Sequence, residues 1–415
     1  MVSYEKHTLT NGLTVITHEA WDTPLAAVNL LYNVGSRNEE EQRTGFAHLF
    51  EHLMFGGTPA VPDFDGVLSR LGGESNAFTN CDYTNYYLTL PAQELATALR
   101  LEADRMAHLD ISDRALQVQQ QVVTEEYHQR YGGQPYGDVW LLLRPLCYKV
   151  HPYRWPTIGA DIRHVSEATL EEVRSFHKRF YRPENAILAI AAPMKHDAML
   201  RAAAEAWECG IGAGIASTAS ASSALAEPGQ QAARMEKVQR DVPSPAVYLA
   251  WPMCDHFHPH FRACDLISDV LANGDSSRLY RRLVKEQGLL TEADACISGD
   301  AGPGLLLLSG KLRDGVTTEE AVEAIRAEAY RLAQEGIDNH ELQKVINKYE
   351  NTFVFSQYKA ADRALALCYY TWLGDTDLVN KEPAEYHRVT PALLQEAAQQ
   401  VFTPRHENIL YYEKL

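Results

Sequence analysis

A stretch of small residues divides this chain of 415 residues almost in the middle. Residues 210–231 are rich in Ala, Ser and Gly, contain few large apolar side chains and show no helical period. Such a composition is typical of a linker, because it offers too little apolar surface to form a core. The sequence therefore predicts one domain at residues 1–209, a linker at 210–231 and a second domain at 232–415.

The two halves share one order of predicted elements. In the first half, Asn11 and Gly12 mark a hairpin, which is followed by a strand, a helix, two strands, helices and a strand. The second half repeats strand, helix, two strands and helices, and both halves close on a helix that leads into an apolar strand. In the second half this last helix opens at Val389 and Thr390 and ends at Thr403 and Pro404, before a strand from Asn408. We predict strands at 6–9, 13–17, 25–32, 74–79, 84–90, 186–192, 246–251, 293–298 and 304–311, and helices from residue 45 and at 93–107, 113–131, 169–180, 261–271, 319–334 and 338–355. This order predicts an α+β fold built from two duplicated split-βαβ domains, each with helices on one face of its sheet.

Charge and composition exclude several classes of protein. The formal net charge of −17 disfavours a nucleic-acid partner, since it would repel a phosphate backbone. No apolar run approaches the roughly 18 residues of a membrane-spanning helix, and the N-terminus lacks the pattern of a secretory signal. We therefore expect no membrane partner and a cytoplasmic location. The seven cysteines are scattered without Cys-x-x-Cys spacing, which predicts free thiols.

The most specific motif in the chain is His48-Leu49-Phe50-Glu51-His52. On a helix, positions four apart share one face, so both imidazoles can bind one ion while Glu51 lies beside them to transfer protons. This His-x-x-Glu-His order is the inverted form of a hydrolytic zinc motif. It predicts His48 and His52 as zinc ligands and Glu51 as a general base.

A catalytic zinc ion usually takes three protein ligands, so one is missing from the motif. The predicted helix at 113–131 offers two adjacent carboxylates, Glu125 and Glu126. They point about 100° apart on a helix, so only one can face the ion. Helix geometry does not choose between them.

A second group of histidines lies at His256, His258 and His260. Pro259 interrupts it, and no carboxylate follows at regular spacing. The pattern favours a polar loop over a metal site.

The chain resembles the M16 metallopeptidases, the group of pitrilysin, insulysin and the mitochondrial processing peptidases, and in particular the short bacterial M16B members. The resemblance covers essentially the whole length and is carried by residues 4–17, 34–37, 45–58 and 72–79. It implies a zinc ion (Zn²⁺) held by His48, His52 and Glu126, with Glu51 as general base. It also implies that substrate is bound along a strand that contains Asn76, Ala77, Phe78 and Thr79.

The sequence departs from the family pattern at three positions. Family members commonly have a Glu seven residues before the third ligand, where it supports a zinc-bound His; this chain has Gln119. The amide oxygen can still accept a hydrogen bond from an imidazole N–H but lacks the negative charge. The family's second half usually carries an Arg and a Tyr that reach the substrate, and this chain has Lys285 and Thr291. The counterpart of the zinc helix, at 263–269, keeps none of the ligands.

The resemblance implies a zinc-dependent endopeptidase that hydrolyses unstructured peptides inside a dimeric, clam-like chamber, of which this chain is half. The substitutions at Lys285 and Thr291 suggest a heterodimer whose second M16B-like subunit supplies the Arg and the Tyr. A homodimer that uses Lys285 in place of the Arg is the alternative assembly. The alternative function is a non-catalytic scaffold or peptide-binding subunit of the same fold.

Overall fold

The computed structural model describes residues 1–208, 226–299 and 301–415. They form two compact units, and neither unit is one continuous stretch of chain. The described part of the first unit comprises residues 1–128, 155–208 and 353–381, and that of the second comprises 129–154, 226–352 without residue 300, and 382–415. Most of the predicted linker lies outside the described residues, so the boundaries at 209 and 232 stay a prediction.

The first unit is built on a mixed sheet of six strands in the order β1-β2-β6-β3-β5-β4. β1 and β2 form the expected hairpin around Asn11 and Gly12, β2 runs parallel to β6, and the other pairs are antiparallel. Among the described strands, β4 pairs with β5 alone and so forms one edge of the sheet. The strands are β1 (Glu5–Thr8), β2 (Thr14–Glu19), β3 (Leu25–Tyr32), β4 (Glu74–Thr79), β5 (Thr84–Pro91) and β6 (Ala186–Ala192).

The second unit contains a sheet of five strands in the order β7-β11-β8-β10-β9. It repeats the first sheet from β2 to β4, strand for strand, including the single parallel pair. The duplicated split-βαβ fold is therefore confirmed, with β1 as an addition in the first unit. The strands are β7 (Arg234–Arg240), β8 (Ala246–Pro252), β9 (Leu290–Ser298), β10 (Leu305–Leu312) and β11 (Asn408–Lys414).

The helices agree with the predicted ones within a few residues, but the prediction missed several. Ser112, Thr169 and Thr390 cap their helices by accepting a hydrogen bond from a backbone N–H of the first turn. The missed helices are α2, α5, α6, α8, α12 and α13. In chain order the helices are α1 (Phe46–Leu53), α2 (Phe64–Arg70), α3 (Leu95–His108), α4 (Asp113–Tyr127), α5 (Val139–Cys147), α6 (Arg163–Ser166), α7 (Leu170–Phe180), α8 (His196–Glu208), α9 (Phe261–Ala272), α10 (Thr318–Glu335), α11 (Asn339–Phe355), α12 (Ala360–Trp372), α13 (Leu378–Tyr386) and α14 (Pro391–Val401).

Each unit completes its core with a helix from the other half of the sequence. In the first unit α12 packs on β3 and β6, where Ala364, Leu367 and Cys368 join a buried cluster with Ala27 and Leu31. In the second unit α5 packs on β7, β8 and β11. No local sequence pattern predicts that the two halves exchange these helices, because the exchange depends only on long-range packing.

Two negative expectations can be compared with the described residues. Across the described ranges, no helix combines the length and the hydropathy needed to cross a bilayer. The six cysteines in those ranges are all free thiols, as predicted. Cys209 lies outside them.

Candidate metal centre

The start of α1 is fixed by backbone geometry and by a distant carboxyl group. Gly45, the N-cap residue, has φ +91°, and a Cβ there would lie 2.6 Å from the carbonyl oxygen of Ile158. The Glu39 carboxyl accepts hydrogen bonds from the N–H groups of Gly45 at 2.9 Å and Ala47 at 2.8 Å. These contacts satisfy two of the donors that a helix leaves unpaired at its start.

Glu39 is almost fully buried. Burial raises the pKa of its carboxyl to about 8, although the backbone N–H groups act in the opposite direction. Glu39 therefore caps α1 mainly as a neutral acid at pH 7. No sequence pattern points to Glu39, since an isolated Glu six residues before a glycine carries no periodic signal.

Three of the predicted residues converge on one point. Glu126 Oε2 lies 3.6 Å from His48 Nε2 and 3.2 Å from His52 Nε2. One potential ligand atom from each of the three residues lies within 4.8 Å of the other two. The two imidazole rings meet edge to face, 4.8 Å between centroids.

These separations fit a zinc ion. Ligand atoms about 2.0–2.1 Å from a tetrahedral zinc ion are about 3.3 Å from one another, close to the two observed distances. Two imidazoles and one carboxylate form a common donor set of catalytic zinc sites. In the part of the chain that the structure describes, this is the only group of three or more His, Cys, Asp or Glu side chains with such geometry.

The position of α4 distinguishes the two adjacent glutamates. The Glu126 side chain is 21% exposed and faces the imidazoles, whereas Glu125 is exposed to solvent. α4 is held by Gln120, whose Nε2 donates to the carbonyl oxygens of Val165 at 2.9 Å and Ala168 at 3.0 Å. Sequence analysis did not identify Gln120, because its partners are backbone atoms 45 and 48 residues away.

Gln119 lies two turns before Glu126 on the same helix and is partly buried. Its side chain makes no hydrogen bond to any residue that the structure describes. Its supporting role at the imidazoles stays a prediction.

Glu51 is connected to the edge strand of the sheet. Thr79 Oγ1, at the end of β4, donates a hydrogen bond of 2.6 Å to Glu51 Oε2. The predicted base and the predicted substrate strand, Asn76 to Thr79, are therefore adjacent in the first unit. The motif alone did not predict that Thr79 orients Glu51, because 28 residues separate the two in sequence.

The remaining candidates lie in the second unit. His256 is buried against Phe261, 4.5 Å between ring centroids, and His258 is exposed in the turn before α9. Lys285 lies in a π-helical turn with its Nζ 5.2 Å from the centre of the Tyr280 ring. Thr291 Oγ1 donates to the carbonyl oxygen of Lys311 at 3.2 Å in the β9–β10 ladder.

Comparison with known proteins assigns the family. Residues 14–131 match the model described as insulinase, peptidase family M16, and residues 167–349 match that of the peptidase M16 inactive domain. The chain therefore belongs to the M16 peptidase family. The match to an inactive-type domain agrees with the loss of the ligand residues from α9.

Among the relatives, the zinc protease PqqE of Helicobacter pylori is 31% identical over 298 residues, which cover 70% of this chain and 66% of that protein. An uncharacterized zinc protease of Streptomyces coelicolor is 25% identical over 362 residues, 84% of this chain and 76% of that protein. The crystal structure of a protease from Helicobacter pylori superposes with a TM-score of 0.94 at 26% identity and covers all of both chains. The M16 inactive domain from Pseudomonas fluorescens shares the fold, with a TM-score of 0.88 at 16% identity.

Proposed function

We propose that this protein is a zinc-dependent endopeptidase. The observation that carries the proposal is the convergence of His48, His52 and Glu126 beside Glu51, which is hydrogen-bonded to the edge strand. The relatives named zinc proteases support the same class of reaction. Two imidazole nitrogens and one carboxylate oxygen would hold the ion and leave a position for water and the substrate carbonyl.

When bound, the zinc ion would polarise the scissile carbonyl and lower the pKa of water towards neutrality. The chain's own contribution is the transfer of protons. The Glu51 carboxylate takes a proton from the attacking water and delivers it to the amine nitrogen as the peptide bond breaks. Thr79 Oγ1, 2.6 Å from Glu51 Oε2, fixes the orientation of this carboxylate.

We propose that substrate binds as an added strand along Asn76, Ala77, Phe78 and Thr79. In the described part of the chain β4 has a neighbouring strand on one side only, so its outer backbone groups can pair with an extended peptide. Backbone hydrogen bonds provide affinity without regard to side chains. The substrates would therefore be unstructured peptides, since a folded protein does not offer a free extended segment.

The proposal is tested by measuring bound zinc and peptide hydrolysis for the wild-type chain and for Glu51→Gln. We expect about one zinc ion per chain in both proteins, because Glu51 is not among the three proposed ligands. Turnover should fall by roughly 100-fold to 10,000-fold in Glu51→Gln, the usual contribution of a general base. Zinc binding without turnover dependent on Glu51, in the chain alone or with a partner subunit, would contradict the proposal and favour a scaffold or peptide-binding subunit.

The assembly is part of the same proposal. The second unit carries Lys285 and Thr291 where the family pattern has Arg and Tyr. We propose that a second M16B-like subunit supplies these two side chains in a heterodimer. A homodimer that uses Lys285 is the competing assembly.

A further inference from the structure

A cavity of about 1030 Å³ lies in the first unit beside the start of the edge strand. Its floor includes Tyr87 and Thr89 of β5, and β4 contributes Glu74 and Asn76. The opposite wall is residues 357–363, which lead into α12. The cavity therefore continues the line of the proposed substrate strand, away from the metal centre.

Alternation along β4 determines which side chains point towards this cavity. Thr79 and Ser75 point to the face that carries α1 and α2, where they bond Glu51 and Asp65. Asn76 and Glu74 point to the other face, where they line the cavity. Ser75 between them also borders the cavity, but its hydroxyl bonds Asp65 on the opposite face. Successive side chains of a strand alternate between the two faces of a sheet.

A peptide paired with β4 must follow the same alternation. If one of its residues lies beside Thr79, the residues three and five positions along lie beside Asn76 and Glu74, on the cavity face. The residue four positions along lies beside Ser75 and points to the opposite face. The cavity is therefore open to two substrate side chains and closed to the one between them.

The charges that line the cavity favour a cation. Asp22, Glu74 and Asp362 face Lys359 and Arg363. Arg363 already forms an ion pair with Asp22, because its Nη2 donates to both carboxylate oxygens, at 2.7 Å and 3.0 Å. This leaves two carboxylates without a cationic partner, Glu74 and Asp362, against the exposed Lys359. Glu74 Oε1 accepts a hydrogen bond from Thr89 Oγ1 at 3.2 Å, which leaves its negative charge in place.

We propose that the cavity binds a Lys or Arg side chain of the substrate, three or five positions from the residue beside Thr79. This inference rests on the proposed function, because it uses β4 as the substrate strand. The substrates would then be unstructured peptides that carry a Lys or Arg at a set distance from the cleaved bond. The space is ample for a long basic side chain together with its hydration water.

The test uses zinc-loaded protein and a set of fluorogenic peptides that differ only in the position of one Lys. Because β4 does not set the direction of the peptide, Lys is moved one to six positions away on both sides of the cleaved bond. We expect Lys to raise kcat/KM by roughly 5-fold at two positions of the peptide, the size of effect that one partly solvated ion pair provides. Lys at the single position between these two should leave kcat/KM unchanged. A Glu at the same positions should lower it. A flat profile, or a smooth one without alternation, would overturn the inference.

Charge-removing variants test the identity of the site. Glu74→Gln and Asp362→Asn should each reduce the preference for Lys over Gln in the peptide. The control is Glu205→Gln, which removes one exposed negative charge from α8. This helix packs beside β2, and three strands separate β2 from β4 in the sheet. An equal effect of the control would mean that Lys responds to the net charge of the protein and not to the cavity.

Binding without turnover separates this inference from the proposed function. Fluorescence anisotropy of the same labelled peptides is measured with zinc-loaded Glu51→Gln. Affinity that depends on Lys at the alternating positions supports the cavity site, even if no peptide is hydrolysed by the wild type. Equal affinities for all positions would overturn it, even if hydrolysis occurs.

Discussion

Glu125 and Glu126 are neighbours near the end of α4, and only Glu126 faces the two imidazoles. We expect Glu126→Gln to weaken zinc binding by roughly 100-fold or more, since loss of a ligand should cost at least as much as loss of an outer hydrogen bond to one. Glu125→Gln removes the same charge one position earlier and should leave the affinity within about 3-fold of wild type, the small effect of a solvated charge. Competition with a chromophoric chelator measures both. Equal losses in the two variants would contradict the assignment of Glu126.

The buried Glu39 makes stability depend on pH. Burial raises the pKa of its carboxyl from 4.5 to about 8, so between these values the folded protein holds a proton that the unfolded chain has released. Its contribution to the free energy of unfolding is therefore fully present below pH 4.5 and is lost as the pH rises through 8. Glu39→Gln does not titrate, but its amide nitrogen cannot accept the second backbone hydrogen bond, which costs on the order of 1 kcal/mol.

We therefore expect Glu39→Gln to be less stable than wild type at pH 6 and to close or reverse this gap at pH 9. Urea unfolding of the metal-free protein at the two pH values measures the difference. Glu40→Gln, at the exposed neighbouring position, is the control and should show a gap that does not change with pH. A pH-independent gap for Glu39→Gln would show that the carboxyl titrates normally in the folded protein.

At the scale of elements, one segment of chain holds both ligand-bearing helices. Residues 158–168 contact the start of α1, because Thr44 Oγ1 lies 2.8 Å from His164 Nδ1 and accepts from the N–H of Ala160 at 2.9 Å. The same segment receives the two hydrogen bonds of Gln120 from α4. The segment therefore connects the helix of the two imidazoles to the helix of Glu126, which also pack directly against each other.

Gln120→Ala should lower zinc affinity by roughly 10-fold without removing a ligand, because α4 loses its two connections to this segment. The absorption spectrum of the cobalt-substituted protein should also change, since it reports the geometry of the ligands and not the stability of the fold. Gln121→Ala, at the adjacent exposed position, is the matched control. A normal cobalt spectrum and normal affinity in Gln120→Ala would mean that the helices are positioned without this contact.

The sequence predicted those parts of the fold and site that depend on local pattern. β3, β4 and β6 have the predicted bounds, because turn residues such as Gly, Asn and Pro flank all three strands. His48, Glu51 and His52 were recognised from spacing on one helix. α5 and α12 were missed. Their local sequence patterns also do not reveal which sheet each helix covers. The contacts of Glu39, Gln120 and Thr79 depend on long-range packing, and their residue types are common on any surface.

At the scale of the whole molecule, the metal centre of the first unit and the substitutions in the second suggest an incomplete peptidase. Among the described residues, Lys285 contacts the Tyr280 ring and Thr291 bonds the backbone of Lys311. A donor to the developing oxyanion usually contributes about 100-fold to 1,000-fold in kcat. We therefore expect the zinc-loaded chain alone to hydrolyse an unstructured peptide slowly and a second subunit with the Arg and the Tyr to raise kcat by this factor.

The double variant Lys285→Arg and Thr291→Tyr separates the two assemblies. In a homodimer, residues 285 and 291 of one copy serve the active site of the other copy. The double variant alone should then approach the turnover of the wild-type chain combined with the second subunit. In a heterodimer the partner supplies them, so the double variant should stay slow alone and gain as much from the partner as the wild type does. Size-exclusion chromatography with light scattering, run on the same samples, shows which assembly is present. Fast hydrolysis by the wild-type chain alone, unchanged by the partner, would contradict the heterodimer, because it would mean that Lys285 and Thr291 already complete the site.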